Sequence, residues 1–161
     1  MSNGANGEYH WRETYFILFE SRRRPTLTQV ERALSSLSDR FALSQMLADD
    51  DGQFESITLT SAGDHAALEI AFESGEAVIQ QGTDLAKQLK SEAEPAQLAL
   101  LLRADARLDV MHFEMMPDGD ALDEDEMDEM FDPSCLLMVV ESLVELTRGV
   151  AIDPASGAIL P

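Results

Sequence analysis

"FESITLTSAGDHAALEIAF", residues 54–72, is the stretch that decides how this chain folds. In its second half Ala66, Leu68, Ile70 and Phe72 fall on one side by strict alternation, while Glu69 and Glu73 fall on the other. Successive side chains of a strand point to opposite faces, so this spacing predicts a strand with one buried face. Ser61-Ala62-Gly63-Asp64 supplies a tight turn back to "FESITLT", and Asp49-Asp50-Asp51-Gly52 joins that segment to "FALSQMLA" upstream. Three short apolar segments separated by Gly- and Asp-rich turns read as an antiparallel meander.

Working outward, "YFILF" (Tyr15–Phe19) is apolar on both alternating faces, as a central strand buried on both sides should be. After "ESRRRP", the segment "TLTQVERALSSLSDRF" reads as an amphipathic helix ending near Ser38. Thr28 and Glu31 stand at capping-box spacing there, and Leu27, Val30, Leu34 and Leu37 form one stripe. Beyond the meander, "SGEAVIQQGTDLAKQLKSEA" predicts a helix with Val78, Leu85 and Leu89 on one side. Pro95 opens a shorter one, since proline suits the first helical position. "ARLDVMHFEMM" returns to a strand. Asp132-Pro133 then starts "PSCLLMVVESLVELTR", with Gly149 as its expected left-handed stop. "VAI", the turn Asp153–Gly157 and "AIL" close the chain.

The sum is a single α+β domain over residues 9–161, an antiparallel or mixed sheet with helices packed on it, preceded by a disordered start at 1–8. The opening order of strand, helix, strand, strand is that of a ferredoxin-like layout in the first half. That likeness of layout carries no function.

Charge is the unusual property. The 161 residues carry 11 Lys or Arg against 31 Asp or Glu, a net charge of −20. Residues 1–40 are nearly balanced, so the acidity belongs to the later three quarters. Such a field repels nucleic-acid phosphates and anionic lipid, which argues against direct nucleic-acid or membrane binding and favours a basic protein partner. The longest apolar run, Cys135–Val140, is far short of the ~20 residues that cross a bilayer. One cysteine rules out an internal disulfide framework, and with no signal pattern in the opening residues the expected location is the cytoplasm.

"PDGDALDEDEMDEMFDP" (117–133) holds nine carboxylates and no Lys or Arg. It fails as a calcium loop: counted from Asp118, the positions for a fifth-place ligand and a sixth-place glycine hold Leu122 and Asp123. The reading is a solvated acidic loop over 117–132. As a partner-binding segment it would use Asp123, Glu124, Asp125 and Glu126 for charge, with Met127, Met130 and Phe131 as apolar anchors. The opposite charge stands in "SRRRP", where Arg22, Arg23 and Arg24 read first as an ion-pair cluster with the protein's own carboxylates and second as an anion site.

Chemistry-bearing residues are few. His112 and Glu114 make an H-x-E pair, but the P-C-x-x-C that nucleobase deaminases also need is reduced to "PSCLL". Cys135, at the head of an apolar run, reads as a core thiol, and His112 as a surface or half-buried histidine. No phosphate-binding loop, dinucleotide fingerprint, nucleophile elbow or zinc-ligand spacing occurs, so no cofactor or metal is assigned. The helix 133–148 is apolar on more than one face. It reads as a core helix, with a contact to a second copy as the alternative. These features describe a small acidic protein-binding or regulatory domain without enzymatic activity. The alternative is a metal-assisted hydrolase using acidic residues with His112.

Overall fold

The computed structural model describes residues 9–61, 66–115 and 134–160. Among them, seven strands form one antiparallel sheet: β1 (Tyr9–Phe19), β2 (Phe41–Ala48), β3 (Phe54–Ser61), β4 (Ala66–Ser74), β5 (Ala106–Met115), β6 (Val150–Asp153) and β7 (Ala158–Ile159). Four helices pack on it: α1 (Leu27–Ser35), α2 (Glu76–Gln88), α3 (Pro95–Arg103) and α4 (Ser134–Thr147). The sheet order is β2-β3-β4-β5-β1-β6-β7. The α+β architecture expected from the sequence is therefore present, with the meander in place as β2-β3-β4. β1 and β2 are joined by α1 as in a ferredoxin-like opening, but three strands lie between them in the sheet. No helix of the described residues is long and apolar enough to cross a membrane.

The two faces of the sheet bury different residues. Ile17 and Phe19 of β1 join Leu59, Leu68, Ile70, Leu108 and Val110 under α1 and α4. Leu18 faces the other way, against Val78 and Leu85 of α2 and Leu101 of α3. β1 lies between β5 and β6 and is covered on both sides, which is why Tyr15–Phe19 shows no polar face. In β4, Ala66, Leu68 and Ile70 are buried while Glu69 and Glu73 are exposed, as the alternation requires.

Two helix ends differ from expectation. The capping box of α1 is Thr26 with Gln29, not Thr28 with Glu31: Thr26 Oγ1 accepts from the Gln29 N–H at 3.1 Å, and Gln29 Oε1 accepts from the Thr26 N–H at 2.9 Å. Thr26 is bridged to Gln53 of the meander, which holds it extended and moves the cap forward by two residues. The helix stops at Ser35, where the Ser35 and Ser36 hydroxyls donate back to the carbonyls of Glu31 and Ala33. At the end of α4 the left-handed residue is Arg148 (φ 58°), not Gly149. The Gly149 N–H donates to the Val144 carbonyl at 3.3 Å, the closing bond of a Schellman motif whose left-handed position is Arg148. Gly149 is needed for another reason. A Cβ there would stand 2.6 Å from the Leu18 carbonyl oxygen, so only glycine lets the chain lie against β1.

Candidate functional site

Two apolar stripes run along α4. The first, with Leu136, Val139, Leu143 and the buried Thr147, packs on the sheet. The second, with the exposed Leu137, the buried Val140 and the half-buried Val144, lines a groove of about 540 Å³ between α4 and the β6–β7 edge of the sheet. Ala151, Ile159 and Leu160 form its floor, and Glu141 and Glu145 stand beside it. Leu137 is 46% exposed and Met138 beside it 38%. A helix that buried every apolar residue would be covered all round. Leu137 and Met138 are the exposed large apolar residues of α4, so the expected core helix is a core helix with an apolar patch near its start. Its thiol, Cys135, belongs to the covered side, as expected.

A second constellation lies at the other end of the same sheet face, where Glu13 and Arg12, which the sequence did not point to, join the H-x-E pair His112 and Glu114. β1 carries an irregularity between Trp11 and Glu13, where Arg12 is the extra residue. Glu13 falls directly opposite His112 of β5, and His112 Nδ1 lies 2.7 Å from Glu13 Oε2. A carboxylate only accepts, so Nδ1 carries the hydrogen. Glu114, two residues along β5, shares the face of His112, and Arg12 Nε reaches its Oε1 at 2.6 Å. That approach is an ion pair without hydrogen-bond alignment, and Glu114 Oε1 accepts no hydrogen bond among the described residues. His112 and Glu114 are each only 2% exposed, whereas His112 was expected at the surface or half-buried. Burial drives the Glu114 carboxyl above its ordinary value, against the opposing pull of Arg12 and His112. Among the described residues no three His, Cys, Asp or Glu side chains are grouped as metal ligands would be.

The arginine tract divides instead of forming one cluster. Arg24 turns inward: its Nη2 donates to the Phe54 carbonyl at 2.8 Å, its Nη1 lies 3.4 Å from Asp49 Oδ2, and its guanidinium stacks over Phe72. Arg22 and Arg23, on a single 3-10 turn after β1, point to a separate depression together with Arg103 and Arg148. Glu20 accepts from Arg22 Nε at 3.3 Å and Arg103 Nε at 3.4 Å, and the Arg22 bond is the main reason its carboxyl titrates below the ordinary value. Arg22 is thus paired with Glu20, and Arg24 with Asp49. Asp123, Glu124, Asp125, Glu126, Met127, Met130 and Phe131 lie outside the described residues.

No protein-family model, no curated protein and no solved structure matches the chain, so the geometry alone carries the reading of function.

Proposed function

We propose that this is a non-enzymatic protein-binding module of the cytoplasm whose α4 groove receives an apolar segment flanked by basic residues from a partner protein. The observation that carries the reading is the apolar groove along α4, with the exposed Leu137 at its mouth and Glu141 and Glu145 beside it. An apolar floor with a charged margin is the layout of grooves that take amphipathic helices, in which anchors give affinity and the margin gives orientation. Charge then selects the occupant. The nine carboxylates of residues 118–132 precede α4 directly in the chain, and the whole protein carries −20. A second copy would bring the same glutamates against Glu141 and Glu145, so a basic partner suits the groove better than self-association. The cytoplasmic assignment is supported by the single, buried thiol.

A synthetic amphipathic helix with a leucine stripe and lysines opposite tests the reading, beside a counterpart with glutamates in place of the lysines. The lysine peptide is expected to shift the amide signals of α4, β6 and β7, to bind more weakly as salt rises, and to lose about tenfold in affinity on Leu137→Asp. Equal binding of the two peptides, or binding indifferent to Leu137→Asp, contradicts it.

A further inference from the structure

Only 11 of the 161 residues are Lys or Arg, yet four of them, Arg22, Arg23, Arg103 and Arg148, line one depression of about 240 Å³. They come from three places in the chain: the turn after β1, the last turn of α3, and the residue that ends α4. Leu100 and Thr147 form part of the wall, and among the described residues Glu20 is the sole carboxylate of the lining. Four arginines against one glutamate leave the described lining residues at a formal +3, within a protein of −20. Glu20 engages Arg22 and Arg103 through their Nε atoms, an arrangement that positions both side chains. Among the described residues neither Arg23 nor Arg148 lies within ion-pair distance of a carboxylate. Arg148 also occupies a left-handed backbone position at which glycine is the favoured residue.

We propose that this depression binds a phosphoryl group, through the four arginines that converge on it and independently of the α4 groove. Guanidinium groups present planar forks of N–H donors that match the oxygens of a phosphate, and several such forks converging from different elements suit a tetrahedral, multiply charged anion better than a single carboxylate. The depression is also smaller than the pockets that enclose whole drug-sized ligands, so it suits a charged group with the remainder of its ligand outside. That group can be carried by a free phosphorylated small molecule or by a phosphorylated side chain.

Calorimetry of the full chain with pyrophosphate and, separately, with a phosphoserine-bearing peptide tests this. One saturable site is expected, weakening as salt rises. Arg148→Gly suits the left-handed backbone and removes the guanidinium together with the rest of the side chain, so it should leave the thermal midpoint unchanged or higher while weakening binding about tenfold. Arg23→Gln should weaken it similarly, and Arg40→Gln, at an exposed position outside the depression, should not. Tighter binding of pyrophosphate identifies a free small molecule as the source, and tighter binding of the peptide a modified side chain. Absence of saturable binding for both probes, or an equal loss with Arg40→Gln, overturns the proposal.

Discussion

Glu114 and Glu20 are both glutamates held by arginine, and their carboxyls are displaced in opposite directions. Glu114 is closed in on the sheet face beside His112, and the loss of water around it outweighs Arg12, so its titration moves up. Glu20 stands at the margin of an open depression, where hydrogen bonds from arginine outweigh a small desolvation, so its titration moves down. Water decides between them: pairing stabilises a charge that remains hydrated and only offsets the penalty on one that does not.

The largest expected effect breaks the buried member of this comparison. Arg12→Ala leaves the Glu114 carboxylate without its cation, and near neutral pH it should destabilise the fold by about 2 kcal/mol in chemical denaturation. In a Glu114→Gln background the same substitution should cost clearly less, because no buried charge is left to compensate. A full-sized loss in that background would place the role of Arg12 elsewhere.

Glu114→Gln alone should act more gently and with a defined pH dependence. A carboxyl whose folded value lies above its ordinary 4.5 contributes stability below that value and loses it as pH rises through the raised one. The variant should therefore melt higher than the parent at neutral pH and match it in acid. A parent that gains on raising the pH where the variant does not would reverse the assignment.

The smallest effect concerns Glu20→Gln, and its pH dependence is the mirror image. The lowered titration of Glu20 contributes stability above its ordinary value of 4.5, lost as pH falls through the lowered one. A slight fall in thermal midpoint at neutral pH should vanish in acid and shrink with added salt, because the group is partly exposed and its arginine partners are exposed. Parallel pH dependences for the Glu20 and Glu114 variants would show that burial does not separate the two sites.

The parts of this picture that could be read from the chain were those set by neighbours in sequence. Ala66, Leu68 and Ile70 announced their face by alternation, Pro95 announced the start of α3, and Tyr15–Phe19 announced a strand covered on both sides. The α1 cap was misplaced because two Thr residues each had a suitable partner three positions on, and only the bridge from Thr26 to Gln53 chooses between them. The glutamate cluster was hidden for a stronger reason. Glu13 and His112 are 99 residues apart and meet only because β1 lies beside β5, a neighbour relation that no local pattern encodes. Arg103 and Arg148 join Arg22 and Arg23 in the same non-local way. For α4 the chain showed that apolar residues exceed one stripe, while the exposure of Leu137 and Met138 alongside a buried Val140 follows from where the sheet ends.

The exposed Leu137 is where the functional account is most open to test. A photo-crosslinking residue at position 137, compared with one at the exposed Ile79 of α2, should trap a partner in the protein's own cells only from position 137, and the trapped peptide should be apolar with Lys or Arg beside it. Capture of an acidic segment, of a second copy of this chain, or of the same proteins from both positions would contradict the account.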